Sequence, residues 1–349
     1  MSYKILYIED LPTGSIQNDL ERCGFEVAVN NADDFNDTLS DIVDNEYDAF
    51  IMDFRLTANT GRVDAPTFAS TIRTNGGNHK KCPIILISSE ENLPEFNNDF
   101  TSQDLFDMVI SKTKFRTCCQ KYSKIIIDLI ESYRSIILES YNTTKLLNIE
   151  NTDHLDYRLI EILDTFSKQK NPYGYCRTIF YSLIRSIGIL VGEDVLAARL
   201  GIEKSCEDFS ILKEKLESCK YRGILSKAYD RWWFDQILAM WKEISGGKSL
   251  RRMKAADRVD IINNFWSLHL QPAKPIKFAS SSTFWTICSK ELKPLDPNEG
   301  YIYNNKVIDV WQEPEYISLY SALEYPELRE KLSPMDRKEI FEIGKNARV

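Results

Sequence analysis

Five apolar runs in the first 112 residues, separated by amphipathic stretches, restrict the fold more than any other feature of this 349-residue chain. KILYIED, FEVAVNN, YDAFIMDF, CPIILISS and FDMVISK are rich in Ile and Val and mostly apolar on both faces, the character of parallel strands covered by helices. Helices are predicted between them near 13–23, 33–44, 65–74 and 91–98. Strand–helix alternation at this spacing predicts an α/β fold with a doubly wound, five-stranded parallel sheet. In such sheets, chemistry gathers outside the carboxyl ends of the strands.

The residues at those ends form a consistent set. Glu9 and Asp10 follow the first strand, Asp53 ends the third, Ser88 the fourth and Lys112 the fifth. Three carboxylates brought together repel one another unless a cation sits among them. Mg²⁺, a hard cation that keeps water and shares phosphate oxygens, suits Glu9, Asp10 and Asp53 as ligands. Asp53 then reads as a nucleophile able to form an aspartyl-phosphate, with Lys112 neutralising charge on the phosphoryl oxygens and Ser88 donating a hydrogen bond to one of them.

The segments IED, IMDFRL, PIILISS and VISK, in this order, resemble the response-regulator receiver domains of two-component signalling over residues 3–118. The resemblance implies strand order 2-1-3-4-5, Mg²⁺ as cofactor, and a sensor histidine kinase or phosphotransfer protein as phosphoryl donor to Asp53. It also implies self-dephosphorylation. Two positions depart from the family pattern: Thr113 follows the lysine where proline is common, and Val109 stands where an aromatic switch residue is usual. Arg55 and Glu90 flank the expected water path and read as a solvated surface pair; pairing across the mouth would slow hydrolysis of the phosphoaspartate.

The rest of the chain is expected to hold a helical connector and linker at 119–150 and a mainly helical output or docking domain at 151–349. Ile125, Ile126, Leu129, Ile130, Tyr133, Ile136 and Ile137 recur at helical spacing, first as a core face and second as a homodimer seam. NTTKLLNIENTDH, residues 142–154, is the linker candidate, and a few strands are expected after 274. DVLAARLGIEK begins like a helix-turn-helix, but Glu207 falls where its second helix needs an apolar residue. His269, Cys288 and the serines between them lack a nucleophile elbow and an orienting acid. Alternative functions are a phosphate sink that buffers a relay, or a DNA-binding or enzymatic effector acting through 151–349.

Charge and cysteine usage narrow the partners. Residues 1–118 carry 10 Lys and Arg against 20 Asp and Glu, leaving 34 against 32 for the remainder. The acidic part repels nucleic acid and the other is only weakly permissive. Eight cysteines without a C-x-x-C pair, and His79, His154 and His269 far apart, offer neither a disulfide framework nor a zinc site. The vicinal Cys118 and Cys119 read as inert thiols. No signal peptide or membrane span is readable, so a cytoplasmic location is expected.

Overall fold

The computed structural model describes residues 2–11, 14–56, 63–74, 81–98, 103–304 and 307–346; His79 lies outside them. The chain forms two compact units. The first comprises Met1–Asp153, Tyr157–Phe180 and Arg222–Ala228, and the second His154–Asp156, Tyr181–Tyr221 and Tyr229–Val349.

In the first unit, β1 (Lys4–Ile8), β2 (Glu26–Asn30), β3 (Ala49–Met52), β4 (Ile84–Ser88) and β5 (Met108–Ser111) form one parallel sheet in the order β2-β1-β3-β4-β5, as expected. Every residue of β3 and β4 is buried, which is why these runs are uniformly apolar. The edge strands are less covered, and Val109 on β5 is exposed.

Helices α1 (Gly14–Arg22), α2 (Phe35–Asp44), α3 (Ala65–Thr74) and α4 (Leu93–Asn98) fall within the predicted segments. Asp34 starts α2 by accepting hydrogen bonds from the backbone N–H of Asn36 and Asp37. Gly24, at φ +93°, makes the left-handed turn from α1 into β2. Leu6, Ile8, Phe50, Met52, Phe68, Ile72, Ile84 and Leu86 belong to the core on one side of the sheet.

The predicted helical stretch after Phe115 consists of α5 (Lys112–Thr117) and the 20-residue α6 (Cys119–Leu138). Ile125, Ile126, Leu129, Ile130, Tyr133 and Ile136 are buried, whereas Ile137 is at the surface, so the periodic face is mainly core. The linker candidate differs from expectation. Asn142 caps α7 (Thr143–Leu147), Asn148 ends it in the left-handed conformation, and Leu146 and Leu147 are buried. Two leucines on one short turn supply the apolar burial that a free linker lacks.

The first unit also contains α8 (Tyr157–Lys168), α9 (Pro172–Ile179) and the returning segment 222–228. That segment is strapped to α6 and α7 through its backbone. Ala228 N donates to Asp128 Oδ2 at 2.7 Å, Leu225 N to Ser132 Oγ at 3.1 Å, and Ile224 N to the Leu146 carbonyl at 2.8 Å.

The second unit contains α10 (Glu193–Leu200), α11 (Phe209–Lys215), α12 (Phe234–Ile244) and α13 (Ala255–Trp266), one short antiparallel pair among them (Leu190–Val191 with Trp232–Trp233), further short pairs that use strands after 285, and the helices α14 (Leu319–Glu324) and α15 (Pro334–Asn346). This matches the expected helical stretch and later strands. All residues from Val195 to Leu200 are buried. Gly201 ends α10 at φ +78°, and a Cβ there would meet the Ala255 backbone at 2.7 Å, so the close approach needs glycine.

The helix-turn-helix likeness ends at Gly201. Eight residues separate α10 from α11, too many for the motif's three- to four-residue turn. Arg199, fully buried, pairs with Glu313 at 2.7 Å between the rings of Phe234 and Trp285, so α10 is a core helix. Among the described residues, no helix is long and apolar enough to cross a membrane.

Candidate functional site

All five strand-end residues belong to the first unit, and hydrogen bonds tie three of them directly together. Glu9 leaves β1 with its N–H donated to the Asn30 carbonyl at 3.1 Å, and Asp53 leaves β3 with its N–H donated to Ile8 at 3.0 Å. The two neighbouring strands therefore end with their carboxylates side by side. Lys112 follows β5 as the first residue of α5, whose N-cap Ser111 accepts from Lys114 N at 3.1 Å. That cap fixes where the lysine leaves the sheet.

From there, the Lys112 ammonium bridges the two acids. Its Nζ donates to Glu9 Oε2 at 2.6 Å and to Asp53 Oδ2 at 3.0 Å. The other oxygen of Asp53, Oδ1, accepts from Phe54 N at 2.9 Å. Glu9 and Asp53 are both buried, and carboxylate oxygens of Glu9, Asp10 and Asp53 lie within 4.8 Å of one another. Burial, and then the charge of Glu9, push the Asp53 carboxyl up to about 6, with Lys112 acting in the opposite direction. Burial pulls the Lys112 pKa down, but the hydrogen bond to Glu9 and the charge of Asp53 outweigh it and leave the ammonium more firmly protonated than an ordinary lysine.

Two buried polar atoms at this site have no hydrogen-bond partner, Glu9 Oε1 and Ser88 Oγ. A buried acceptor without a donor costs about 1–3 kcal/mol unless something else satisfies it. An oxygen-binding cation beside Oε1 and a ligand oxygen beside the serine hydroxyl would do so. The donor set is therefore that of a hard divalent ion, and the residues fit Mg²⁺.

No protein-family model matches the chain, and no curated protein does. Solved structures similar to part of it include the receiver domain of a sensor histidine kinase from Pseudomonas aeruginosa PAO1, solved with a magnesium ion coordinated in its active-site cleft. That match is at 22% identity over 36% of this chain and 98% of the other, with a TM-score of 0.30. Others are a sensor protein from Polaromonas sp. JS666, at 19% identity over 38% and 98% with a TM-score of 0.31, and a response regulator receiver domain protein from Clostridium thermocellum, at 18% over 39% and 98% with a TM-score of 0.30.

Around the five residues, the structure departs from the sequence reading at Arg55. Its guanidinium pairs with Asp64 at 2.6 Å and with Glu95, not with Glu90. Glu95 lies in the first turn of α4, five positions after the exposed Glu90.

Tyr7 was not anticipated. It is buried and its hydroxyl donates to Glu9 Oε2 at 2.8 Å, the same oxygen that Lys112 holds. Burial first, then the Glu9 charge, raise the phenol's pKa, so it stays a donor. A tyrosine two residues before Glu9 in an otherwise aliphatic strand was the available signal, since residues two apart share a face.

Proposed function

We propose that the first unit accepts a phosphoryl group on Asp53 with Mg²⁺ held by Glu9, Asp10 and Asp53, and that the chain acts as a response-regulator-like signalling protein. The observation that carries the reading is the Lys112 bridge between Glu9 and Asp53, beside a third carboxylate and an unpartnered Ser88 hydroxyl. When bound, the cation supplies charge neutralisation that lets an anionic donor approach a carboxylate.

The side chains divide the remaining work. Asp53 offers a carboxylate oxygen as nucleophile, and the Phe54 N–H holds the other oxygen, which orients the group for in-line attack. Lys112, already within 3.0 Å of Asp53, neutralises charge on the transferred group. Ser88 Oγ donates to a phosphoryl oxygen, which satisfies a hydroxyl otherwise buried alone. Tyr7 and Lys112 together fix Glu9 through Oε2, leaving Oε1 for the metal side of the site.

The donor is a histidine kinase or phosphotransfer protein. The receiver core is 1–118, the connecting helices are 119–150, and the output or docking part within 151–349 is the second unit, since 157–180 and 222–228 pack with the first. Incubation of the full chain with acetyl phosphate and Mg²⁺ tests the reading. Incorporation that chelator and Asp53→Asn both abolish supports it, and incorporation insensitive to both overturns it.

A further inference from the structure

Away from the carboxylate site, two thiols from distant parts of the chain meet. Cys23 Sγ and Cys119 Sγ lie 3.1 Å apart, although 96 positions separate them in sequence. Cys23 sits in the turn after α1, held by backbone bonds from its N–H to Asp19 and Leu20. Cys119 is the first residue of α6, and its contact with Cys23 and then burial hold its thiol above the ordinary cysteine range.

Both are free, and both are half-buried and so within reach of a small reagent. Beside Cys119 opens a depression of about 460 Å³ lined by Asp19, Arg22, Arg116, Thr117 and Gln120, wide enough to admit one. Cys118, the chain neighbour, is exposed. Vicinal position does not decide which thiol Cys119 meets; the fold brings Cys23 to it instead.

We propose that Cys23 and Cys119 are a modification site that a hydroperoxide converts to an intramolecular disulfide and a dithiol reverses. One thiolate attacks a peroxide oxygen, the O–O bond breaks, and a sulfenic acid forms with release of hydroxide, which takes up a proton to become water. The second thiolate attacks that sulfur, the S–S bond forms, the S–O bond breaks, and hydroxide again leaves as water. Two thiols lose two electrons in total, and hydrogen peroxide is reduced to two waters. The sulfurs need only close from contact to a bond of about 2.0 Å.

The link fastens the end of α1 to the start of α6. Asp10 lies just before α1, and Lys112 begins α5, which leads directly into α6. Oxidation therefore braces the helices that follow two of the strand-end residues. The inference stands on the thiol geometry alone and does not depend on phosphoryl transfer.

The test treats the full chain with hydrogen peroxide, blocks remaining thiols with N-ethylmaleimide and digests it without reduction. The expected product is a peptide pair joined through Cys23 and Cys119, 2 Da lighter than the two reduced peptides together. Dithiothreitol should release it, Cys118→Ser should retain it, and Cys23→Ser and Cys119→Ser should each abolish it. Maleimide on both Cys23 and Cys119 after oxidation overturns the proposal. So does a link from Cys119 to Cys118, or one between two chains.

Discussion

Tyr133 Oη donates to Asp107 Oδ1 at 2.6 Å, joining the middle of α6 to the residue just before β5. The other oxygen of Asp107 accepts from Arg73 at 2.7 Å and from Ile84 N at 2.8 Å. One buried carboxylate therefore ties α3, β4 and α6 together at the end of the sheet opposite the site. Tyr133→Phe removes one of its donors without changing the packing volume. A loss of about 1–3 kcal/mol in unfolding free energy is expected, read by denaturant melts. A change within error would mean the bond contributes nothing to the fold.

Asp128 gives the first unit a pH dependence. Burial pushes its carboxyl up to about 6, against the Ala228 N–H bond that acts to lower it. A folded pKa above the ordinary value of 3.8 means that its stabilisation is fully present below about pH 4 and is lost as pH rises through 6. The difference is on the order of 3 kcal/mol. Asp128→Asn keeps an acceptor for Ala228 and removes the charge. It should be more stable than the parent at pH 8 and no more stable at pH 4, compared by thermal melts; equal differences at both pH values would contradict this.

Tyr7 is expected to act through Glu9. Tyr7→Phe keeps the buried ring and frees one bond on Oε2, so Mg²⁺ affinity should fall by about tenfold, in the range of lost outer ligand contacts. Asp10→Ala removes a carboxylate of the set itself and should weaken Mg²⁺ at least as much. Calorimetric titration reads both. An unchanged affinity in Asp10→Ala would remove that residue from the metal site.

What the sequence revealed follows from how local each signal is. β1, β3 and β4 are continuous apolar runs, and the acids, serine and lysine at strand ends are adjacent to them in sequence, so the sheet and the strand-end placement of these five residues were legible. Arg55 was not, because its partners Asp64 and Glu95 depend on how α3 and α4 turn after their loops. Segment 222–228 was hidden for a similar reason. Its bonds to α6 and α7 run through backbone N–H groups, which every residue has, so no side-chain pattern announces them. The Cys23–Cys119 contact is equally non-local, with 96 positions between two thiols of which the sequence reading singled out only Cys119, as inert.

The alternation at Ile125–Ile137 shows the limit from the other side. Its helical spacing was plain, but spacing alone does not say whether a face meets its own unit or another copy. Burial of Ile126, Leu129, Ile130 and Tyr133 answers for the core. Val109 on β5 is exposed and carries no aromatic ring. Without that ring, a change at Asp53 is expected to travel through α5 and α6. Hydrogen exchange with and without beryllofluoride reads this as altered protection in 112–138, and protection unchanged there would exclude the route.

Asp53 is the residue proposed to carry the phosphoryl group. The most direct measurement is mass spectrometric mapping after phosphorylation with acetyl phosphate and Mg²⁺, with borohydride reduction to mark the acyl phosphate. A single reduced site is expected at Asp53 in the parent and none in Asp53→Asn, with far less label when Lys112 is replaced by Ala. A label on another residue, or none in the presence of Mg²⁺, would contradict it.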